Sequence, residues 1–228
     1  MSARGQDTRK FGTVDLAADK ARALALTPVS RETQRRLELF VDLLLKWQHT
    51  TNLISPSTIP NIWTRHVADS LQLLDLVPDA KLWVDIGSGG GFPAIPIACA
   101  LAETPGAKVH LVESNRKKAA FLREAVRITG APAQVHAERV EKYTDAAVNS
   151  VDVISARALA PLKTLCDQAF PLIEQGAIGL FPKGLDVETE LTDAAKYWNI
   201  EATTVASKTS PEGCIVIVRS LTPLRTKS

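Results

Sequence analysis

The stretch best suited to chemistry is residues 81–92, which read KLWVDIGSGGGF. Residues 82–86 form a short apolar run, as in a parallel strand that is buried on both faces. Four of the next five residues, 87–91, are glycine. Glycine permits a positive φ and lets a ligand approach the backbone N–H groups closely. Asp85 lies inside the apolar run, where a carboxylate is costly unless it is hydrogen-bonded or meets a ligand. The pattern predicts a ligand-binding loop between a strand and a helix.

The glycine spacing narrows the class of ligand. Dinucleotide enzymes use G-x-G-x-x-G, and here Phe92 stands where the third glycine belongs. The loop also lacks the G-K-[ST] of a phosphate-binding P-loop. Glu113 lies 22 residues beyond Gly91. An acid at this position can accept hydrogen bonds from both ribose hydroxyls of a nucleoside and would repel a 2′-phosphate. We therefore expect a nucleoside-containing cofactor that is held without a pyrophosphate clamp.

The elements around this loop alternate between strand-like and helix-like runs. Strands are predicted over residues 82–86, 109–113, 134–137, 151–155, 177–181, 200–206 and 214–219. Helices are predicted over residues 94–101, 115–129, 161–173 and 187–198. Such alternation predicts an α/β fold, a Rossmann-like and mostly parallel seven-stranded sheet with a terminal antiparallel hairpin. Ligands of such sheets bind at the carboxyl ends of the strands, where the strand order reverses.

A helical extension precedes the sheet. Residues 1–12 are polar, and helices are predicted over residues 14–26, 31–50 and 59–76. The second of these has a clear 3.6-residue apolar period, and Ser30 is placed to cap it. We expect a tail and extension over residues 1–78 and a core over 79–228, packed as one compact unit.

Composition, cysteine spacing and the lack of long apolar runs limit the class of protein. The 228 residues are 45% hydrophobic and carry a net charge of +2, which excludes histone-like binding but permits a local basic patch. Cys99, Cys166 and Cys214 are far apart and are expected to be reduced thiols. The sequence has no apolar run of about 18 residues and no apolar signal-peptide core at its start. These patterns favour a cytoplasmic protein without a membrane span, and no metal-binding motif is present.

Several motifs together resemble a known family. The loop at residues 85–93 with Glu113 resembles the S-adenosylmethionine (AdoMet) site of Rossmann-like methyltransferases. Added to it, the pieces R-H-x-x-D-S at 65–70, E-S-N-R-K-K at 113–118, S-x-R-A at 155–158 and K-G at 183–184 resemble the RsmG (GidB) family over residues 25–219. The resemblance implies methyl transfer from AdoMet to guanine N7 in 16S ribosomal RNA, alone or in the small subunit, by a monomeric enzyme.

The same resemblance implies a set of cofactor contacts. They fall on the following residues: Asp85, Gly87, Gly89, Phe92, Glu113, Val140, Glu141 and Arg157. Some family members carry an arginine just before the last strand, where this chain has Gly213, so an RNA contact at that point does not carry over.

Three cations are candidates for positioning the acceptor, although no single residue is assigned as catalytic. Arg157 ends the fourth predicted strand beside the cleft; the alternative is a structural ion pair with Glu141 or Asp152. Lys183 ends the fifth strand, as a phosphate contact or as a solvated lysine. Arg139 is a candidate for RNA contact or for closing the site.

Other polar and aromatic residues have both a functional and a structural interpretation. The run at 116–118 opens a helix, where cations oppose the helix dipole, which favours a role in binding RNA phosphates. His66 suits a phosphate contact or a structural role. Trp47, Trp63 and Trp198 could stack on bases, but core packing is the default for tryptophan in apolar helices.

Guanine N7 carries a lone pair and no proton, so its methylation needs no general base, which fits a sequence without an evident acid–base pair. Three rival functions stay open: a methyltransferase acting on another RNA or on a small molecule, a nucleoside-sensing binding protein, and a nucleotide-linked oxidoreductase.

Overall fold

The computed structural model describes residues 15–145 and 151–224. The polar tail predicted over residues 1–12 lies outside these ranges. Within them, seven strands form one sheet in the order β3-β2-β1-β4-β5-β7-β6. The strands are β1 Leu82–Ile86, β2 Lys108–Val112, β3 Ala133–His136, β4 Val153–Ser155, β5 Ile178–Lys183, β6 Trp198–Ala206 and β7 Cys214–Pro223.

The α/β fold with a terminal antiparallel hairpin is confirmed. Pairs among β1 to β5 are parallel, whereas β7 is antiparallel to both β5 and β6. The strand order reverses between β1 and β4. Strands β2 and β3 follow β1 on one side, and the chain then crosses to place β4 on the other side of β1. The carboxyl ends of β1 and β4 are therefore where a ligand is expected.

Helices cover both faces of the sheet. They are α1 Leu16–Leu26, α2 Arg31–Gln48, α3 Asp69–Leu71, α4 Ala94–Ala100, α5 Arg116–Thr129, α6 Val140–Asp145, α7 Leu162–Ile173 and α8 Val187–Ala194. Ser30 caps α2, as predicted, by accepting a hydrogen bond from the Thr33 N–H. Gly130 ends α5 with a φ of 61°, the left-handed conformation that glycine adopts at low cost.

Two clusters of buried side chains lie on opposite faces of the sheet. One joins Phe40 and Leu44 of α2 to Trp83 of β1 and to α4 and α5. The other joins Val84 of β1 to α7 and β7. The helical extension thus shares a core with one face of the sheet.

Two predicted helices differ from the structure, and one observed helix lacks a sequence prediction. The helix predicted over residues 59–76 is a chain of short pieces: 3₁₀ turns at Pro56–Asn61 and Gln72–Leu76 flank a π-helical turn at Trp63–Ala68 and α3. The helix predicted to reach Trp198 ends at Ala194, and Trp198 begins β6. Helix α6 was not predicted. The described residues contain no helix that is both long and apolar enough to cross a membrane.

Candidate cofactor site

The loop between β1 and α4 is tied to the end of β2. The N–H groups of Gly87 and Ser88 both donate to the carbonyl oxygen of Val112, at 2.9 and 3.1 Å. Gly87 and Gly89 have φ values of 67° and 51°, which residues with a Cβ rarely adopt. These hydrogen bonds and backbone angles fix the position of the glycine loop at the carboxyl ends of β1 and β2.

Glu113 joins this loop to the segment after β2. Its Oε2 accepts a hydrogen bond of 2.9 Å from the Gly89 N–H, and its Oε1 accepts one of 2.7 Å from the Asn115 N–H. The side chain is buried and lies against the cavity described below. Each carboxylate oxygen has two lone pairs, so both can accept a further hydrogen bond from vicinal hydroxyls.

Asp85 lies beneath the loop and is not part of the cavity wall. It is paired in register with Ser155 of β4, whose hydroxyl donates a 2.8 Å hydrogen bond to Oδ1. Among the described residues, Oδ2 has no hydrogen-bond partner. Burial raises the pKa of Asp85 to about 7. Asp85 does not line the cavity described below, and the cofactor contact predicted for it stays a prediction.

A cavity of about 660 Å³ lies above the glycine loop. Its wall contains all but one of the residues proposed from sequence as cofactor contacts, namely Gly87, Gly89, Phe92, Glu113, Val140, Glu141 and Arg157. Arg139 and Lys118 also line it, so one cation of the run at 116–118 reaches the cavity. The amino-terminal end of α6 supplies Val140 and Glu141.

The segment after α2 forms a wall that the sequence did not indicate. Leu53 and Ile54 line the cavity. The side chain of Gln48 holds both, because Oε1 accepts hydrogen bonds from their N–H groups and Nε2 donates to the Ile54 carbonyl. The Leu53 carbonyl lies so close to Gly90 that a Cβ there would be 2.7 Å from the oxygen. Glycine at position 90 therefore allows the extension to pack directly on the loop.

Arg157 is held at the far side of the cavity by the R-H-x-x-D-S motif. One guanidinium nitrogen, Nη2, donates a 2.6 Å hydrogen bond to Nδ1 of His66, and Nη1 donates to the Arg65 carbonyl at 3.2 Å. Asp69 Oδ2 lies 3.6 Å from Nη1. The guanidinium carbon also lies 5.2 Å from the centre of the Phe92 ring. The alternative ion-pair partners considered from sequence, Glu141 and Asp152, are wrong; the partner is Asp69.

His66 is neutral in this arrangement. Burial, with the charges of Arg157 and Arg65, lowers its pKa to about 3. Because arginine can only donate, Nδ1 of His66 must be the acceptor and Nε2 must carry the proton. Nε2 then donates to Thr58 Oγ1 at 2.8 Å. His66 thus has a structural role and lies in the wall of the cavity.

A second cavity of about 750 Å³ lies at the ends of β4 and β5. It shares five wall residues with the first cavity: Thr58, His66, Arg157, Ala158 and Leu159. Lys183 lines it, but the ammonium is bound to Glu190 at 2.7 Å and to the Ala160 carbonyl at 2.9 Å. The side chain is only 10% exposed, so the solvated-lysine interpretation is wrong, and its hydrogen bonds are directed at protein groups.

The tryptophan and cysteine side chains are mostly buried in the core. Trp63 and Trp198 are buried, and Trp47 packs against the core, as the default interpretation predicted. Cys99 and Cys166 are buried free thiols, whereas Cys214 is only partly buried. No group of three or more metal-ligating side chains occurs in the part of the chain that the structure describes.

The geometry fits a nucleoside bound over the glycine loop. Glu113 presents carboxylate oxygens from a buried position, the loop is shaped by glycine, and Leu53 and Ile54 add apolar surface.

Comparison with known proteins places the chain in a family. The family model described as rRNA small subunit methyltransferase G matches residues 33–214. Ribosomal RNA small subunit methyltransferase G of Bradyrhizobium sp. strain BTAi1 is 60% identical over 203 residues, which are 89% of this chain and 91% of the relative. The protein of the same name from Rhodopseudomonas palustris strain BisB18 is 57% identical, over 92% of this chain and 89% of its own.

Solved structures support the fold independently. The O-methyltransferase from Bacillus cereus in complex with SAH has a TM-score of 0.57 at 15% identity, covering 88% of this chain and 96% of its own. The O-methyltransferase TomG from Streptomyces achromogenes has a TM-score of 0.58 at 11% identity, covering 89% and 95%. Since the family model spans most of the chain and close relatives match nearly its full length, the chain belongs to the GidB family, rRNA small subunit methyltransferase G.

Proposed function

We propose that this protein transfers the methyl group of AdoMet to N7 of a guanine in 16S ribosomal RNA. The observation that carries the proposal is the match to relatives named ribosomal RNA small subunit methyltransferase G at about 60% identity over nine tenths of the chain. The cavity above the glycine loop, lined by the residues that the family resemblance singles out, supports it.

The residues proposed to hold AdoMet line the first cavity: Gly87, Gly89, Phe92, Glu113, Val140, Glu141 and Arg157. Glu113 accepts hydrogen bonds from the ribose hydroxyls while it fixes the loop at Gly89. Asp85, which was also predicted to contact AdoMet, does not line this cavity and accepts a hydrogen bond from the Ser155 hydroxyl. When bound, AdoMet supplies an electrophilic methyl group on a sulfonium.

In the proposed reaction the protein must position the two reactants, and it need not transfer a proton. N7 of guanine has a lone pair and carries no proton, so no general base is required. His66, the histidine in the wall, already has both ring nitrogens hydrogen-bonded, to Arg157 and Thr58. Holding the two reactants in line can lower a barrier by several kcal/mol. Carboxylates near the acceptor would stabilise the cationic base as it forms.

We propose that the enzyme acts as a monomer in the cytoplasm, where its partner, 16S rRNA or the small ribosomal subunit, is assembled. Arg139 and Lys118 are proposed to contact RNA at the mouth of the first cavity, which both residues line.

The experiment is methyl transfer from methyl-labelled AdoMet to RNA from a strain that lacks the enzyme. Naked 16S rRNA, partly assembled particles and complete small subunits are compared, with 23S rRNA as the control acceptor. We expect label in at least one 16S-containing form and none in 23S rRNA. Absence of label from all 16S forms, with AdoMet bound to the protein, would refute the proposal.

A further inference from the structure

Ala158 has a strained backbone conformation. In the part of the chain that the structure describes, it is the one residue other than glycine with a positive φ, at 51°. A residue with a Cβ adopts this conformation at a cost in free energy, and such strain persists only where the surrounding structure fixes it. Ala158 lies in the segment after β4, between Arg157 and Leu159. Contacts on either side of it must therefore hold the turn.

The strained turn is anchored at both ends. Before it, the guanidinium of Arg157 is bound by the R-H-x-x-D-S motif, as described above. After it, the Ala160 carbonyl accepts a 2.9 Å hydrogen bond from the Lys183 ammonium. The backbone between these two anchors is short, so Ala158 cannot relax into a less costly conformation without breaking one of them.

The turn directs the Leu159 side chain onto the glycine loop. Its two methyl carbons would lie 2.5 and 2.8 Å from a Cβ at Gly87, so the side chain packs on the face that glycine leaves bare. Leu159 is 36% exposed and lines both cavities. A ligand that lies over Gly87 in the first cavity therefore meets the Leu159 side chain.

The positions of Glu113 and Leu159 indicate which part of a cofactor Leu159 meets. In the strand order β3-β2-β1-β4, Glu113 follows β2 and Leu159 follows β4, so they lie on opposite sides of the loop that follows β1. In AdoMet, the adenine and the sulfonium are attached at opposite ends of the ribose. The transferred group must face a space outside the cofactor, and the first cavity adjoins the second at residues 157–159. If Glu113 binds the ribose, the sulfonium end lies on the side of Leu159.

We propose that Leu159 limits the size of the alkyl group that the bound cofactor can carry on its sulfonium, and that the strained turn at Ala158 fixes this limit. The inference rests on the proposed function, because it takes AdoMet as the cofactor. A methyl group fits against a branched side chain that is held in place, whereas an ethyl group needs space that Leu159 fills. One extra methylene in an apolar pocket changes binding by about 10- to 200-fold. Leu159 thus determines specificity for the donor.

The experiment compares Leu159→Ala and Leu159→Val with Leu39→Ala, a matched control on α2. Leu39 is 40% exposed, close to the exposure of Leu159, and lines neither cavity. Calorimetry without RNA measures the Kd for AdoMet and for its S-ethyl analogue. We expect wild type to bind the S-ethyl analogue at least about tenfold more weakly than AdoMet. The ratio of the two Kd values should fall to about two or less in Leu159→Ala, be intermediate in Leu159→Val, and keep its wild-type value in the control.

A second variant, Ala158→Gly, tests the role of the strained turn. Glycine adopts a φ of 51° without the cost of a Cβ, so the substitution removes the strain and lets the turn move. We expect a Tm no lower than that of wild type, because alanine at a positive φ destabilises the fold. The ratio of Kd values should fall below that of wild type, because Leu159 is held less firmly. An unchanged ratio would overturn the role proposed for Ala158.

The outcomes separate the inference from the function. Equal affinity of wild type for AdoMet and the S-ethyl analogue would overturn the role of Leu159 alone. A wild-type ratio of Kd values in Leu159→Ala would also overturn it, because the side chain would then contact the cofactor without limiting its alkyl group. If wild type binds neither AdoMet nor the analogue, the function on which the inference rests is overturned. If Leu159→Ala is unfolded, Leu159→Val decides by the same criteria.

Discussion

Arg157 donates a 2.6 Å hydrogen bond from Nη2 to Nδ1 of His66, so a neutral imidazole fixes a guanidinium in the wall between two cavities. The two residues are 91 positions apart, and each belongs to a different family motif. Phe92 completes the arrangement, with its ring centre 4.9 Å from that of His66. The R-H-x-x-D-S and S-x-R-A motifs thus form one structural unit.

Replacing His66 by phenylalanine tests this unit. The variant keeps a ring against Phe92 but removes the acceptor for Arg157, so a buried donor loses its partner. We expect a loss of about 1–3 kcal/mol in the free energy of unfolding, and a Kd for AdoMet raised about tenfold. Chemical denaturation and calorimetry measure these, with His49→Phe, at an exposed position, as control. A variant with unaltered affinity and stability would show that His66 does not position Arg157.

Asp85 predicts a pH dependence of stability. Its folded pKa is raised to about 7 from an ordinary value of 3.8, so between these values the native state binds more protons than the unfolded chain. Stability contributed by this group therefore falls as the pH rises through about 7. Asp85→Asn keeps an acceptor for Ser155 and cannot ionise, so its stability relative to wild type should increase from about pH 4 to about pH 8. Urea unfolding of the cofactor-free protein checks this, and a difference that is constant with pH contradicts it.

Glu113→Gln should weaken AdoMet binding more than it weakens the fold. The Gly89 and Asn115 N–H groups donate to different carboxylate oxygens, and in glutamine one of these two atoms becomes an NH2 group that cannot accept. We expect the Kd for AdoMet to rise by at least about tenfold, as measured by calorimetry. The exposed Glu201→Gln serves as control. Unchanged affinity of Glu113→Gln for AdoMet would show that Glu113 does not bind the ribose hydroxyls.

Gly90→Ala tests the packing of the extension on the loop. The new methyl group would lie 2.7 Å from the Leu53 carbonyl oxygen, a backbone atom that cannot rotate away. We expect a loss of about 1–3 kcal/mol in the free energy of unfolding. Gly184→Ala, where the methyl group meets no atom within 4 Å, is the matched control and should be close to neutral. Equal stability of the two variants would mean that segment 53–54 does not pack on the loop.

Local patterns were enough to predict most of the sheet. Strand β1 was predicted with its observed bounds, because an apolar run directly before glycines leaves little freedom. The boundary at Trp198 was missed because the residues before it are compatible with a helix. Its place in β6 depends on tertiary contacts: it pairs with Pro223, and its indole N–H donates to Asp167.

The interrupted helix before β1 has a similar long-range cause. Asp19, a buried residue of α1, accepts hydrogen bonds from the N–H groups of Trp63 and Thr64 and from the Thr64 hydroxyl. These contacts satisfy backbone donors at the start of the π-helical turn. The sequence around residue 63 carries no sign of a partner 44 positions away.

The candidate site was predicted where it follows one strand and missed where distant segments meet. The loop and Glu113 line one cavity, as their spacing predicts. The roles of Gln48, Leu53 and His66 arise from contacts between the extension and the core, which single-sequence spacing does not encode. The interpretation of Lys183 as a solvated lysine is wrong because its partner, Glu190, lies on the following helix.

The most direct test of guanine-N7 methylation by this protein is the 7-methylguanosine content of 16S rRNA, measured by mass spectrometry in cells with the gene deleted and then restored. We expect one guanosine to lose its N7 methyl group on deletion, and we expect the wild-type gene to restore it whereas Glu113→Gln restores it poorly. An unchanged 7-methylguanosine content after deletion, or loss of a methyl group from another atom or another RNA, would contradict it.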